Sequence, residues 1–172
     1  MHIMVDLETM GTRPDAPIIA IGAVMFDGNA ILDEFYVNID LCSAVEDGGA
    51  TIDPSTVMWW MKQSSDARSA LEADCVSVAE GLDSFALWLS TVEPEGIWGN
   101  GASFDNTILS EAYARLGKKT PWPFRKDRCY RTMKNMRGDI EMDRTGTHHN
   151  ALDDARSQAL HLIKIWREGV GV

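Results

Sequence analysis

Cysteine is scarce and scattered in this chain. Cys42, Cys75 and Cys129 are odd in number, lie far apart and form no Cys-x-x-Cys pair. That excludes a disulfide framework and a thiolate zinc site, and the three read as reduced cysteines. Long apolar runs are missing too: the longest, 17–26 and 160–166, fall far short of the roughly 20 residues that a membrane span needs. No basic stretch leads into an apolar one at the start of the chain, so a cytoplasmic protein with no membrane partner is expected. Positive charge is also in short supply, with 16 Lys and Arg against 26 Asp and Glu and a formal net charge of −10. A protein that coats long duplexes through clustered cations is thereby excluded. A site for a few nucleotides is not, because metal ions can supply positive charge locally.

What is present suits one globular domain over residues 1–172, with 45% hydrophobic and 24% charged positions and no repeat, low-complexity tract or linker. The opening run 2–5 is apolar and ends at Asp6, and 17–26 is a second apolar run. Phe35, Val37 and Ile39 then alternate with Glu34, Tyr36 and Asn38. These predict three strands, the last two joined through a turn at Asp27-Gly28-Asn29. Residues 42–52, with Asp47, Gly48 and Gly49, read as a surface loop. Beyond them the apolar period changes to about 3.6. Asp53-Pro54 sets a cap and a first-turn proline, and Ser77 with Glu80 forms a capping box ahead of Leu82, Phe85 and Leu89. A short strand is predicted at 96–99. It leads to Ser103 as the expected cap of a helix that carries Ile108, Leu109, Ala112 and Leu116 and stops at Gly117. The last helix starts at Asn150 and buries Leu152, Ala155, Ala159, Leu162, Ile163 and Trp166. Strands first and helices after, with one later strand, predict an α/β domain with helices packed on a mixed sheet.

Five residues stand out as chemistry. Asp6 and Glu8 are two apart on a strand, so the pleat points both carboxylates to one side. Such a pair repels itself unless a cation sits between, and hard oxygen donors suit Mg²⁺ or Mn²⁺. Taken alone, a solvated acidic strand end explains the pair equally well. Asp105 falls in the first turn of its helix, where it also complements the helix dipole. His149 and Asp154 bracket the start of the last helix; with Asn150 as cap, Asp153 has a sufficient structural explanation and Asp154 is the better metal ligand. His149 lies on a loop as a candidate proton acceptor, with His148 as its competitor, and the nearby carboxylates are expected to raise its pKa.

Together these residues resemble the DEDD-type 3′-to-5′ exonucleases, in the DEDDh branch whose third motif carries a histidine. Asp6-Leu7-Glu8-Thr9 is similar to the first motif, 100–105 to the second, and His149 with Asp154 to the third. More narrowly, 53–68 and 150–156 resemble the small ribonuclease T-like group found in phages and prophages, some of whose members are labelled exodeoxyribonuclease eight-like. The resemblance implies a ribonuclease H-like sheet, two bound Mg²⁺ or Mn²⁺ ions, release of nucleoside 5′-monophosphates from 3′ ends of RNA or single-stranded DNA, and a homodimer. On this reading Asp6, Glu8 and Asp154 hold one ion, Asp6 is shared with a second that Asp105 supports, and His149 is the general base. Thr9, Met10 and Gly11 are expected to line the terminal sugar and base, with Trp59, Trp60 or Phe104 stacking on a base; at least one of the paired tryptophans is expected to be core instead. Two rival readings stay open: a catalytically silent nucleotide or nucleic-acid binding module on the same fold, and a metal-dependent endonuclease or phosphatase.

Overall fold

A computed structural model of the chain describes residues 1–71 and 73–169. Its sheet has five strands, β1 (His2–Thr9), β2 (Ile18–Phe26), β3 (Ile31–Asn38), β4 (Gly96–Gly99) and β5 (Asp127–Cys129), in the order β3-β2-β1-β4-β5. The first three strands are antiparallel neighbours, whereas β4 runs parallel to β1 and β5 parallel to β4. This mixture follows from the connections: a tight turn reverses β2 into β3, with Asp27 Oδ1 accepting from the Asn29 and Ala30 N–H groups, while β4 and β5 are reached through helical crossovers.

The strands carry α1 (Leu41–Glu46), α2 (Pro54–Trp60), α3 (Ser65–Ser69), α4 (Val78–Leu89), α5 (Asp105–Arg115), α6 (Tyr130–Met136) and α7 (Ala151–Arg167). On one face of β1, Ile3, Val5 and Leu7 join a core with Leu82, Phe85 and Leu89 of α4 and Ile108, Leu109 and Ala112 of α5. On the other, Met4 packs with Ala155, Ala159, Leu162 and Ile163 of α7. All of β2 is buried, as its unbroken apolar run requires for a strand covered on both faces. The period-two pleat then sends Asp6 and Glu8 after Met4, onto the α7 face.

Helix starts follow the chemistry of their caps. Asp53 accepts from Ser55 N ahead of Pro54, Ser77 and Glu80 form the capping box, and Asn150 accepts from the Leu152 and Asp153 N–H groups. β1 carries both Asp6 and Glu8 and ends at Thr9, where Glu8 and Thr9 still pair with β2. Two expectations need correction. Part of the expected loop is α1, capped by the Asp40 side chain on Ser43 N. Ser103 does not cap α5: the turn closed by Phe104 N on Gly101 O at 2.7 Å takes up that residue, and Phe104 precedes the helix with no side-chain cap. The sequence reading did not foresee β5 and α6; β5 is a three-residue strand whose Asp-Arg-Cys sequence carries no apolar alternation.

Two glycines set how closely helices meet the sheet. A Cβ on Gly22 would lie 2.2 Å from the carbonyl carbon of Ala151, so the first turn of α7 rests directly on β2, and Gly22 is the register partner of Asp6. A Cβ on Gly99 would come within 2.4 Å of Asn106 Oδ1 and 3.0 Å of Asp105 Oδ2, which lets the start of α5 close over the end of β4. Among the described residues no helix is long and apolar enough to cross a membrane.

Candidate active site

The acidic residues meet in a cleft of about 510 Å³, within the range of small-molecule pockets. Asp6 and Glu8 come from the end of β1, Asp105 from the first residue of α5 and Asp154 from the first turn of α7. Asp6, Glu8 and Asp154 each offer an oxygen, all lying within 4.8 Å of one another. Where β4 stops at Gly99, the Leu7 N–H of β1 is taken by Asp105 Oδ1 at 3.2 Å, while Asp105 Oδ2 is buried with no hydrogen-bond partner. Gln158, one turn beyond Asp154 on α7, donates to Asp6 Oδ1 at 2.7 Å and fixes that carboxylate.

Enclosing so many carboxyls changes their acidity. Burial, then the charges of Asp105, Glu8 and Asp154, hold Asp6 well above the usual carboxylate range. Burial followed by Asp154 and Asp105 pushes Glu8 up to about 8. Burial likewise pushes Asp105 up to about 7, against hydrogen bonds from the Leu7 and Asn100 backbone that favour its charged form. Each shift measures the cost of gathering negative charge away from water, and a divalent cation removes that cost. The donor set fits such an ion: carboxylate oxygens only, one of them buried without a partner, which is the ligand chemistry of Mg²⁺ or Mn²⁺.

His149 stands at the rim with φ of 64°, a conformation rare for a non-glycine residue. Its backbone N–H donates to Asp154 Oδ2 at 3.0 Å. The ring packs edge-on against Trp59 at 4.8 Å and stacks on His148 at 3.7 Å. Its pKa lies below the ordinary 6.5, the reverse of the expectation from sequence: burial and then the neighbouring His148 outweigh the pull of Asp154. An imidazole so placed is unprotonated at neutral pH and able to accept a proton. Asp153 does the structural work expected of it, accepting from Thr147 N at 2.8 Å and from Arg156 at 2.7 Å.

Thr9, Gly11, Trp60 and Phe104 line the cleft beside the acids. The Thr9 hydroxyl is held by Gly11 O at 2.7 Å. Trp60 is buried and donates through Nε1 to Thr9 O at 2.9 Å, which pins α2 to the end of β1, while Trp59 is the exposed member of the pair. Met10 turns away from the cleft to line a separate apolar pocket with Ile19, Leu41 and Leu71.

Several residues here escaped the sequence reading. Thr12, with Ser55 and Thr56 of α2, lines the cleft, as do Arg131 and Lys134 of α6 and Arg144. Arg144 Nη1 pairs with Asp154 Oδ1 at 2.8 Å. At the start of α6, Tyr130 Oη meets His161 Nδ1 at 2.6 Å, and His161 Nε2 meets Ile140 O at 2.9 Å. A carbonyl can only accept, so Nε2 carries the ring proton and Tyr130 donates to Nδ1. This buried chain ties α6 and α7 to the segment leading to His149. Only Gln158 had a readable signal, as a polar residue between Ala155 and Ala159 on the apolar face of a helix.

Comparison with known proteins bears on the family and the fold. The model of the 3'-5' exoribonuclease Rv2179c-like domain matches residues 1–166. An exodeoxyribonuclease of Enterobacteria phage T4 is 30% identical over 122 residues, 62% of this chain. That match spans 52% of the phage protein, so the chain covers about half the length of this curated relative. Among solved structures, the nuclease domain of 3'hExo, a DEDDh family member bound to rAMP, has a TM-score of 0.66 at 15% identity, covering 99% of this chain and 94% of that one. Exonuclease X in complex with 5'-overhanging duplex DNA has a TM-score of 0.63 at 18% identity over 100% and 95% of the two chains. S. pombe Pop2p in its Mg²⁺- and Mn²⁺-bound form has a TM-score of 0.68 at 14% identity over 98% and 83%. These three share the ribonuclease H-like fold. With its Asp, Glu, Asp, His and Asp converging on one cleft, the chain belongs to the family of 3'-5' exoribonuclease Rv2179c-like domains.

Proposed function

We propose that the protein is a divalent-cation-dependent 3′-to-5′ exonuclease that cleaves terminal phosphodiester bonds of RNA or single-stranded DNA and releases nucleoside 5′-monophosphates. The observation that carries this reading is the convergence of four carboxylates, one with a buried and unpartnered oxygen, beside an imidazole of lowered basicity in a nucleotide-sized cleft. Asp6, Glu8 and Asp154 would hold one Mg²⁺ or Mn²⁺ ion and Asp6 with Asp105 a second. Bound there, the ions would offset the four negative charges, polarise the phosphoryl group and make water a stronger acid.

The remaining work falls to the chain itself. His149 takes the proton of the attacking water, held at the rim by its backbone bond to Asp154 and by the edge of Trp59. Gln158 keeps Asp6 in one orientation. Thr9, Gly11, Trp60 and Phe104 line the cleft beside the acids and would hold the terminal nucleoside there. A silent binding module would have no need to keep the acids together at the cost that the shifted acidities of Asp6, Glu8 and Asp105 express.

The test is a time course on matched 5′-labelled single-stranded RNA and DNA with Mg²⁺, Mn²⁺ or EDTA. We expect a ladder shortening from the 3′ end, abolished by EDTA and slowed roughly 100- to 10,000-fold in His149→Ala, the usual worth of a general base. Internal fragments or free phosphate as first products would instead identify an endonuclease or a phosphatase.

A further inference from the structure

Resting on the exonuclease reading above, we propose that Arg131, Lys134 and Arg144, which line the cleft, grip the phosphates of the bound strand, and that Arg144 exchanges its ion pair with Asp154 for a substrate phosphate. The elements that line the cleft differ in kind. The loop after β1 and α2 contribute Thr12, Ser55, Thr56, Trp59 and Trp60, hydroxyls and aromatic rings without a cation; the Lys and Arg of the lining, Arg131, Lys134 and Arg144, come from α6 and the segment before His148. A polyanion entering a protein of net charge −10 lays its backbone along these cations and turns a base toward the exposed Trp59.

The partners of these cations support that assignment. Arg131 and Lys134 are three residues apart and share a face of α6. Among the described residues neither is ion-paired, whereas Arg137 just beyond is taken by Asp139 and Glu168. Arg131 spends one N–H on Asn100 O at 2.6 Å, and its guanidinium lies over Gly101, where a Cβ would come to 3.5 Å. One bond leaves further donors of the guanidinium fork for a phosphate. Arg144 is placed differently. Its side chain is 50% exposed at the rim, yet Nη1 sits 2.8 Å from Asp154 Oδ1, an oxygen of the acidic cluster. A positive charge there opposes a cation on the same carboxylate, and a phosphate offers the guanidinium an alternative acceptor. Strand and cation binding are therefore coupled: whatever draws Arg144 off Asp154 raises the affinity for the ion, and the ion favours strand binding by the same factor.

The experiment compares the full chain with Arg144→Ala and Arg144→Lys, after melting curves confirm that each folds. Mn²⁺ binding without nucleic acid is followed by electron paramagnetic resonance. Strand binding in Mn²⁺ is followed by fluorescence anisotropy over a salt series, using a single-stranded oligonucleotide with nuclease-resistant phosphorothioate linkages at its 3′ end. We expect Arg144→Ala to bind Mn²⁺ about 3- to 10-fold more tightly, as removal of a nearby like charge requires. The same variant should bind the strand more weakly, with the slope of log affinity against log salt reduced by about 0.7, one phosphate contact on a single strand. Arg144→Lys should keep most of that slope. A wild-type slope in Arg144→Ala, or weaker Mn²⁺ binding, overturns this inference alone. Failure of the wild type to bind the strand at any salt overturns the exonuclease reading and this inference with it.

Discussion

Asp105 meets two opposed demands: one oxygen satisfies the Leu7 N–H at the end of the parallel pairing, and the other is buried without a partner. The first is structural and an amide oxygen can replace it; the second needs a charge only when a cation is present. Asp105→Asn should therefore separate stability from activity. In EDTA at pH 8 its melting temperature should exceed that of the wild type, by about 2 to 4 °C for each kcal/mol of repulsion relieved in a domain of this size. Its kcat/KM with Mn²⁺ should fall by more than the roughly 10- to 100-fold typical of losing an outer-shell partner of a metal site. Parallel losses of stability and activity would show that Asp105 serves only the fold. At this scale the sequence revealed the acids and His149, because their spacing on a strand and around a helix start is a local property. It did not reveal Arg144 or Arg131, whose importance lies in what stands opposite them in space. The basicity of His149 went the other way from expectation because burial and His148, both set by packing, outweigh one carboxylate.

Among the elements, α7 decides the site. It delivers Asp154 and Gln158 to Asp6 because its first turn lies directly on β2 at Gly22. Gly22→Ala forces a Cβ into the backbone of Ala151 and Leu152, which cannot yield as a side-chain tip can. Overpacking of this kind costs about 1 to 3 kcal/mol, and here the relief is a shift of α7 away from Asp6. Melting temperature should fall by several degrees, and kcat/KM should drop at least 10-fold even at temperatures where the variant is fully folded. A destabilised variant with wild-type kcat/KM would show that the close approach serves packing alone. Caps made α7 and α4 legible in advance, through Asn150 and the Ser77–Glu80 box. Strand β5 was not legible: its three residues are extended because β4 offers them an edge, which no local pattern announces.

For the molecule as a whole, the acidic cluster ties stability to pH and to metal. A carboxyl whose folded pKa lies above its unfolded one binds more protons folded than unfolded between the two values, so stability falls as pH rises through that window. For Glu8 the window runs from its ordinary 4.5 to about 8, and Asp6 and Asp105 shift in the same direction. In EDTA the melting temperature should therefore decline from pH 5 to pH 8.5. Saturating Mn²⁺ should raise it most at the alkaline end, where the ligands are already ionised. Scanning calorimetry over that range checks this, and a melting temperature indifferent to Mn²⁺ at pH 8.5 would refute it. By itself the sequence determined the strand that carries Asp6 and Glu8, the helix starts that carry Asp105 and Asp154, and the layered α/β class. Those depend on pleat, periodicity and capping, which act within a few residues. Only the tertiary structure decided that the four acids share one cleft, that Gln158 and Arg144 each claim one of their oxygens, that Met10 turns away, and that Arg131, Lys134 and Arg144 line the same cleft. These relations join β1 and α2 to α6 and α7 across much of the chain, and they exist because burial and charge act through space and are indifferent to distance along the sequence.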